Sequence, residues 1–371
     1  MTKHSYDYTL LVMTVILVLF GIVMVFSASF YSAENSSSTN YDGYFYFWKQ
    51  IMGVAIGLVA MIACMIIDYH WLIKFRFVFI IGALILMGLV FVPGIGIERN
   101  GSHRWINLGF MELQPVEVLK FAIVVFMAGT IARNRAKMRK FTYGMLPFLA
   151  LLLLCGLLLY LQPNFSAVVT LALLVFVMML VGGANLKHFG LMALVGLIGG
   201  TIAMLASDDA AYRMRRILAF TDPWKYSSNE SYQLVQSLYA IGSGGMFGLG
   251  LGNSRQKFLY LPYSESDCIF AIIVEELGYV GGLAVLAAFA VLIWRGVRSA
   301  LRAPDDAGMM LATGFTALVA IQVFINIGVV TGFVPPTGVV LPFVSAGNTS
   351  LLVFMASMGV LLNISKQGNM A

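Results

Sequence analysis

Charged residues are scarce in this sequence. Only 11% of the 371 residues are Asp, Glu, Lys or Arg, whereas 60% are apolar, and the mean hydropathy is +0.88. No hydrophilic block is long enough to form a separate soluble domain, and runs of about 20 apolar residues recur along the whole length. The composition therefore excludes a soluble globular enzyme and predicts a single membrane domain over residues 1–371.

Cysteine and histidine are also rare. The three cysteines are far apart, and Cys64 and Cys155 lie within apolar runs, so no disulfide framework is indicated. None of the four histidines has another His or Cys at metal-ligand spacing, which argues against a zinc site. The net charge of +6 is dispersed over loops, which favours a role in membrane topology over nucleic-acid binding.

Ten apolar segments are candidate membrane spans, which predicts an all-α integral membrane protein, a polytopic bundle of about ten transmembrane helices. The first segment is too long for a signal-peptide core of about 7–15 residues, so we expect it to be retained. The predicted spans are 8–29, 47–67, 77–93, 114–132, 144–161, 165–183, 189–207, 268–292, 307–332 and 345–363.

Lys and Arg residues mark one side of this bundle. An even number of spans places both termini on the same side, and short loops there are basic, among them the loop from Arg133 to Lys140. By the positive-inside rule this side is cytoplasmic. The other side carries loops at 31–46 and 94–113, and one long loop of about residues 208–267 between spans 7 and 8. We expect this long extracellular loop to fold over the membrane as short helices.

The stretch from Leu261 to Gly278 contains an acidic residue at the membrane boundary. It begins as a polar loop and becomes apolar at Cys268, so Asp267 lies where water meets the membrane. A carboxylate at this depth stays hydrated and reaches the polar end of a lipid, while low-dielectric neighbours change its pKa. Asp267 is therefore either a group for chemistry on a lipid headgroup or an ordinary aspartate at a helix start.

A second polar pair lies inside the fourth predicted span. Pro115 suits the first helical turn, which places Lys120 about 8 Å below the helix start. Glu117 lies three residues earlier on the same face. The pair either neutralises itself and tunes helix packing, or it faces a cavity in which Lys120 binds an anion. Glu275 and Glu276 in the eighth span raise the same question.

The long loop contains two predicted helices and a glycine-rich segment. Residues 228–241 have the spacing of an amphipathic helix. The glycines from Gly242 to Gly252 superficially resemble a phosphate-binding loop, but no strand precedes them, so we favour tight turns and close backbone contact. The other helix has the composition of a short basic interfacial helix, with its positive charge on Arg213, Arg215 and Arg216.

Two more elements on the outer side are unusual for simple connections. The turn Gln162-Pro163-Asn164 places two amides at a helix break, and residues 335–350 form an irregular segment rich in proline and glycine. Non-helical backbone at membrane depth is tolerated where it is buried in protein or lines a cavity. Each element therefore either closes a helix hairpin or contacts a substrate.

Taken together, the motifs resemble the SEDS family (shape, elongation, division and sporulation), the group of RodA, FtsW and SpoVE. The resemblance runs along essentially the whole chain, and the short tails are closer to the RodA or SpoVE branch. It rests on Arg104-Trp105-Ile106-x-Leu108-Gly109, Gln114-Pro115-x-Glu117-x-x-Lys120, Ala240-Ile241-Gly242-Ser243-Gly244-Gly245, Leu261-Pro262-x4-Asp267-x-Ile269-Phe270-Ala271 with Glu275-Glu276-x-Gly278, and Pro336-Thr337-Gly338-x2-Leu341-Pro342-Phe343.

The resemblance implies a peptidoglycan glycosyltransferase of the bacterial cytoplasmic membrane, with cytoplasmic termini. Such an enzyme polymerises lipid II into glycan strands on the outer membrane face, in cell shape, division or spore cortex synthesis. Lipid II, undecaprenyl-linked glycan and a class B penicillin-binding protein are the implied partners, and Asp267 is the implied catalytic residue. The expected substrate-binding residues, from these motifs and the features above, are Arg104, Trp105, Gln114, Glu117, Lys120, Gln162, Asn164, Arg213, Arg215, Arg216 and Ser243.

The predicted mechanism is general base catalysis. Asp267 takes the proton of the acceptor hydroxyl as that oxygen attacks the anomeric carbon of the donor. Lys120, Arg104 or the arginine cluster, or a divalent cation such as Mg²⁺ or Mn²⁺, neutralises the leaving lipid pyrophosphate. A lipid II flippase and a non-catalytic scaffold for the penicillin-binding protein are the alternatives. No clear internal repeat supports the flippase.

Three places in the sequence, two single residues and one segment, depart from the pattern that the family shows. Many members have Asp where this chain has Asn164, and the usual Glu after Leu-Pro is Tyr263. The common Ser-Tyr-Gly-Gly segment is replaced by residues 345–348, Ser-Ala-Gly-Asn. These departures are typical of a specialised branch or of altered activity.

Overall fold

Ten long helices form the body of the part of the chain that the structure describes. The computed structural model describes residues 5–99, 102–109, 111–205, 220–226, 231–258 and 260–368. Within them, seven helices are long and apolar enough to cross a membrane, and three shorter apolar helices complete the bundle. Each predicted span corresponds to one of these ten helices, which confirms the polytopic fold. The described helices are α1 (Tyr8–Glu34), α2 (Phe45–Ile66), α3 (His70–Lys74), α4 (Arg76–Leu89), α5 (Pro115–Asn134), α6 (Phe141–Gly144), α7 (Leu146–Leu161), α8 (Phe165–Val181), α9 (Leu186–Leu205), α10 (Tyr232–Ser243), α11 (Ile269–Leu301), α12 (Asp306–Val330) and α13 (Asn348–Gly368).

Local sequence signals set several helix starts. The Asp7 side chain caps α1 by accepting a hydrogen bond from the Leu10 amide, and Asp305 caps α12 through the Gly308 amide. Each cap satisfies one of the backbone N–H groups that a helix leaves unpaired at its first turn. Pro115 occupies the first turn of α5, where its missing N–H costs nothing. Helix starts at both ends of the bundle are therefore encoded locally, among them the start of α5.

The core lies where α5, α12 and α13 pack together. These three helices are the most enclosed of the spans, whereas α1, α2 and α7 expose broad apolar faces. An apolar face without a protein partner is expected in a bilayer, because lipid replaces the missing contacts. The arrangement therefore leaves the outer helices to face lipid.

Helix α11 is longer than predicted and contains a break. Its 33 residues span about 50 Å at 1.5 Å per residue, more than a hydrocarbon core of about 30 Å. Gly278 has φ 72° and ψ −177°, which interrupts the helical path. The part before it is almost fully buried, and the part after it exposes one face. The predicted span 268–292 thus matches the start of α11 but missed both the break and the extension to Leu301.

A small β-sheet replaces the loop expected at residues 94–113. It comprises β1 (Gly96–Arg99), β2 (Ser102–Asn107) and β3 (Glu112–Leu113), which pair antiparallel in the order β1-β2-β3. The strands are short and polar, so they lack the alternation of apolar and polar residues that marks a half-buried strand. The dipeptide Asn100-Gly101 is the hairpin signal that could have revealed them.

The first and last described helices meet at one end of the bundle. The Asp7 amide donates to Ser365 Oγ at 3.2 Å, which places the start of α1 beside the end of α13. The placement of the two termini in the cytoplasm stays a prediction, and the structure shows that α1 begins where α13 ends, at one end of the bundle. We call this the terminal end. The opposite, site end carries the sheet, the turn at residues 162–164, residues 231–258 and 260–267, and the irregular segment 335–347.

Candidate active site

A small polar pocket lies at the site end, between the first turns of α5 and α8 and the irregular segment 335–347. It encloses about 30 Å³, which is room for about two water molecules. Four of the predicted substrate-binding residues line it, which are Gln114, Glu117, Lys120 and Asn164. The remaining lining residues are Val116, Ser166, Ala167, Thr170, Gly338, Val339 and Val340.

The Glu117–Lys120 pair is buried beside this pocket. Lys120 Nζ lies 2.7 Å from Glu117 Oε1, and the two residues are only 4% and 5% exposed. The other carboxylate oxygen, Glu117 Oε2, is buried and accepts no hydrogen bond within the described part of the chain. Because a buried oxygen without a donor costs free energy, this one is suited to accept a hydrogen bond from a ligand or water. The two side chains thus form an ion pair with each other and also line the cavity.

The two amides of the turn between α7 and α8 have different surroundings. The Gln162 side chain is 2% exposed and donates to the Met87 carbonyl of α4 at 3.0 Å, away from the pocket. Asn164 accepts the Ala167 amide at 3.3 Å as the cap of α8, and it also lines the pocket. Gln162 therefore braces α7 against α4, and Asn164 is the amide available to a substrate.

Asp267 lies immediately before α11 and adjoins the pocket through a glycine. A Cβ atom at Gly338 would lie 3.1 Å from Asp267 Oδ2, so glycine allows the irregular segment to approach the carboxylate closely. The Asn326 amide of α12 donates to the Asp267 carbonyl at 2.8 Å and to the Val339 carbonyl at 2.7 Å. One side chain thus fixes Asp267 and the pocket wall relative to each other.

The surroundings of Asp267 suit a proton acceptor at neutral pH. The pKa of Asp267 is raised to about 7, mainly by burial and to a smaller extent by the negative charge of Glu265. A hydrogen bond from Ser266 and the positive charge of Arg104 lower the pKa by less. Burial also raises the pKa of Glu265 above its usual range. A carboxyl group with a pKa near the working pH is the type that general base catalysis requires.

The hairpin residues Arg104 and Trp105 lie next to this centre. Arg104 donates through Nε to the Gln162 carbonyl at 3.1 Å and through Nη2 to the Pro163 carbonyl at 2.5 Å. These bonds anchor β2 on the end of α7, where helix carbonyls attract a cation. Trp105 is half-buried on the same strand and pairs in register with Ile97 of β1. Arg104 therefore acts on Asp267 through its charge, and the hairpin holds it there.

Glu276 belongs to a separate cluster that holds the long loop. It is fully buried, it accepts hydrogen bonds from Ser27 Oγ at 2.8 and 2.7 Å, and its Oε1 lies 2.8 Å from Lys257 Nζ. Lys257 is itself 5% exposed and lies 3.3 Å from Ser27 Oγ. This network joins α1, the end of the long loop and α11. Glu276 and its neighbour Glu275, with their partners, are called the carboxylate clamp below.

Glu275, the neighbour of Glu276 on α11, completes the clamp. Both of its oxygens are occupied, because Ser254 Oγ and the amides of Arg255 and Gln256 donate to them. Ser243 Oγ also donates to Glu275, at 3.3 Å. The predicted substrate-binding residue Ser243 therefore lies in the clamp rather than at the pocket.

The glycine-rich segment packs on the backbone of α11. A Cβ atom at Gly248 would lie 2.1 Å from the Glu276 carbonyl oxygen, so a side chain does not fit there. The Gly250 amide donates to the same carbonyl at 3.0 Å. This close contact confirms the structural interpretation of the glycines.

The remaining predictions concern groups that the structure separates from the pocket or does not describe. Arg213, Arg215 and Arg216 lie outside the described residues. Among the described residues, no three His, Cys, Asp or Glu side chains come together as a metal site.

The residues that sequence reasoning missed are Glu265, Ser166 and Asn326. Glu265 stands inside a quoted motif, whereas Asn326 is an isolated amide in an apolar helix and carries no local signal.

Comparisons with known proteins agree with this architecture. The family model of the cell cycle proteins FtsW, RodA and SpoVE matches residues 8–370. Stage V sporulation protein E of Bacillus subtilis (strain 168) is 40% identical over 364 residues, with 98% of each chain covered. A probable peptidoglycan glycosyltransferase FtsW of Geobacter sp. (strain M18) is 38% identical over 362 residues, covering 98% of this chain and 97% of that protein.

A solved structure has the same fold. It belongs to a peptidoglycan synthase complex described as coordinating polymerization and crosslinking, and it superposes with a TM-score of 0.78 at 24% identity, with 98% of both chains covered. This likeness extends along the whole chain, as the family match does. The chain is a member of the FtsW, RodA and SpoVE family of cell cycle proteins.

Proposed function

We propose that this protein is a peptidoglycan glycosyltransferase that polymerises lipid II into glycan strands. The observation that carries the proposal is the meeting of two groups at Gly338. This glycine lines the pocket of the Glu117–Lys120 pair, and a Cβ atom added to it would lie 3.1 Å from Asp267 Oδ2. A base and a buried cation side by side suit transfer of a sugar from a phosphate leaving group. The relative named a probable peptidoglycan glycosyltransferase supports this choice.

Asp267 acts as the base in this scheme. As the hydroxyl oxygen of the acceptor sugar attacks the anomeric carbon of the donor, its proton passes to the Asp267 carboxylate. The new glycosidic bond forms while the bond from the anomeric carbon to the lipid pyrophosphate breaks, and the pyrophosphate leaves with the electron pair. The proton on Asp267 then returns to water. A pKa of about 7 allows this cycle near neutral pH.

Lys120 stabilises the leaving pyrophosphate. Its ammonium group has three N–H donors, and Glu117 is the one hydrogen-bond partner that it has among the described residues. The pocket of about 30 Å³ holds a phosphate oxygen but not a sugar ring, so the sugars lie outside it, over Gly338 and Asp267. Arg104 and the arginines at 213, 215 and 216 are further candidates for neutralising charge.

A divalent cation, Mg²⁺ or Mn²⁺, is part of the proposal as an aid to the leaving group. Magnesium is commonly held by one or two carboxylates together with substrate phosphates. Glu265 supplies one such carboxylate, and it is close enough to Asp267 for its charge to act on that base. When bound there, the ion would neutralise negative charge on the pyrophosphate.

We place the site end outside the cell and the terminal end in the cytoplasm, in the bacterial cytoplasmic membrane. The basic loops at the terminal end support this orientation by the positive-inside rule. We also propose a class B penicillin-binding protein as the partner. The fold shared with a synthase complex that couples polymerization to crosslinking supports this assignment. Shape maintenance, division and spore cortex synthesis are the candidate processes, and the 40% identity to a sporulation protein favours the last.

The test is polymerisation of purified lipid II by the purified protein, with and without the penicillin-binding protein. Wild type is compared with Asp267→Asn and with Asp42→Asn, which changes an exposed aspartate of the loop between α1 and α2. We expect glycan strands from wild type and Asp42→Asn and none from Asp267→Asn of equal thermal stability. If no variant makes glycan, lipid II translocation in vesicles is measured. A flippase would translocate lipid II without polymerising it, whereas a scaffold would neither translocate nor polymerise it.

A further inference from the structure

A second, larger cavity lies at the terminal end, where the start of α1 meets the end of α11. It encloses about 260 Å³ and opens to the surface. It is far from the chemistry proposed above, since α11 runs from Ile269, two residues after Asp267 at the site end, to Leu301 at the terminal end. The polar side chains that matter here are those of Asp7, Arg295, Arg298 and Arg302, with Ser299 and Ser365 beside them.

The cavity carries an excess of positive charge. Arg295 is committed to Asp7, because its Nε and Nη2 atoms lie 2.7 and 2.6 Å from Asp7 Oδ2. Arg298 and Arg302 have no ion pair within the described residues, although they line the same cavity. Two unneutralised guanidinium groups therefore face a space that is large enough for a phosphate group. The Arg295–Asp7 pair also holds the wall of the cavity in place, because the Asp7 amide is bonded to Ser365.

A lipid-facing stripe runs beside the cavity on the same helix. Trp294, Val297 and Leu301 are 58%, 46% and 80% exposed, and their spacing places them on one face of α11. Arg295, Arg298 and Arg302 have the same spacing one residue later, so the basic stripe adjoins the apolar one. Tryptophan at a helix end is typical of the depth at which lipid headgroups lie. The basic cavity thus opens at headgroup level next to a surface suited to an acyl chain.

We propose that this cavity binds the phosphate of an anionic membrane phospholipid, with an acyl chain along Trp294, Val297 and Leu301. Arginine presents its N–H groups as a planar fork that matches phosphate oxygens, and basic pockets between spans are known to take lipid headgroups. The cavity has no free carboxylate for a choline or ethanolamine group among its described lining residues, because Asp7 is bound to Arg295. This favours phosphatidylglycerol or cardiolipin over zwitterionic lipids.

The test measures lipid binding to the purified full-length protein by native mass spectrometry. Phosphatidylglycerol and phosphatidylcholine are titrated separately onto wild type, Arg298→Gln/Arg302→Gln and Arg139→Gln/Lys140→Gln. The last variant removes the same charge from exposed residues of another loop. We expect wild type to bind phosphatidylglycerol about tenfold more tightly than phosphatidylcholine, and the cavity variant to lose about tenfold or more of that affinity. The loop variant is expected to bind like wild type.

Several outcomes would overturn the proposal. Equal affinity for the two lipids, or equal losses in both variants, would mean that general surface charge attracts the lipid. If millimolar inorganic phosphate displaces the lipid, the site takes free phosphate rather than a headgroup. Should Arg298→Gln/Arg302→Gln fail to fold, a phosphatidylglycerol with a photoreactive acyl chain is crosslinked to wild type. The adducts must then map to residues 294–301, and adducts elsewhere would refute the assignment.

Discussion

The two buried carboxylate clusters differ in how completely their hydrogen bonds are made. In the carboxylate clamp, all four oxygens of Glu275 and Glu276 accept hydrogen bonds from described groups. In the pocket pair, Glu117 Oε1 binds Lys120 and Glu117 Oε2 has no partner within the described chain. Each cluster contains a buried lysine and lies within a span or against one.

This difference separates a structural role from a binding role. A fully satisfied buried network rigidifies the fold and has nothing left to offer a ligand. A cluster with one unused oxygen beside a cavity keeps a hydrogen-bonding position for substrate or water. We infer that the clamp holds the long loop on the kink of α11, whereas the pocket pair takes part in binding.

The largest expected effect is a loss of stability on breaking the clamp. Glu276→Gln leaves the Lys257 ammonium buried without its counter-charge, which is expected to cost about 3–5 kcal/mol of unfolding free energy. Lys257→Met/Glu276→Gln removes both charges, and we expect most of the stability to return because a neutral pair carries no desolvation penalty. Thermal unfolding in detergent measures both variants.

Activity per folded molecule decides whether the clamp is structural. If the neutral double variant regains stability and polymerises lipid II like wild type, Glu276 serves the fold alone. A stable double variant that makes no glycan would instead place Glu276 in the reaction. The two clusters would then both take part in the reaction, and they would not differ in role.

Neutralising the pocket pair in the same way is expected to leave stability intact and to lower activity. Glu117→Gln/Lys120→Met also removes both charges of a buried pair, so the fold should remain close to wild type in stability. Polymerisation should still fall by roughly 100-fold, because the cation that stabilises the leaving pyrophosphate is gone. Lipid II polymerisation and thermal unfolding, measured on the same preparation, test this. Activity within about threefold of wild type would contradict the proposed role of Lys120.

The pH dependence of polymerisation should follow the protonation of Asp267. A base acts only when deprotonated, so with a pKa of about 7 the rate should fall about tenfold for each pH unit below neutrality. Glu265→Gln removes a negative charge that raises this pKa, so the acid limb should move to lower pH. Arg104→Gln removes a positive charge that lowers it, so the limb should move to higher pH. Shifts in the same direction for both variants would exclude Asp267 as the titrating base.

Much of the fold could be predicted from composition, because an apolar run of membrane length has few alternatives to a helix. All ten spans were located in this way, including the start of α11 next to Asp267. The break at Gly278 could not be predicted, since it depends on the Gly248 loop packing against α11 from about 30 residues away along the chain. The sheet was missed because its short polar strands are paired with one another and not with a buried face.

The site could be predicted only as far as local motifs reach. The sequence motifs located Asp267, Glu117 and Lys120, and the structure places them on either side of one glycine. It could not be predicted that Gln162 faces Met87 while Asn164 faces the pocket, because two amides in one turn have the same local signal. Likewise, Glu275 and Glu276 differ from Glu117 in their partners, which come from distant segments.

An exposed ion-pair network at the terminal end is expected to stabilise the fold less than either buried cluster. His70 lies 2.7 Å from Asp68 and 2.8 Å from Asp305, and these side chains are 49%, 52% and 39% exposed. Partial burial lowers the pKa of His70, but the hydrogen bonds to the two aspartates raise it overall. Partial burial raises the pKa of each aspartate, and the hydrogen bonds lower it overall. Solvent screens such a network, so His70→Gln should cost less than about 1 kcal/mol.

The sign of the pH dependence separates this network from the clamp. The contribution of His70 is present below about pH 6.5 and is lost as the pH rises through its raised pKa. The aspartates contribute above about pH 4, so the stability difference between wild type and His70→Gln should be largest between about pH 4 and 6.5. It is measured as a Tm difference, with His103→Gln as control, because the nearest carboxylate to His103 is 3.9 Å away. The titration of Asp267 is the same in both proteins, so it cancels from the Tm difference. A difference of several kcal/mol that persists at pH 9 would mean that burial is not what makes the clamp strong.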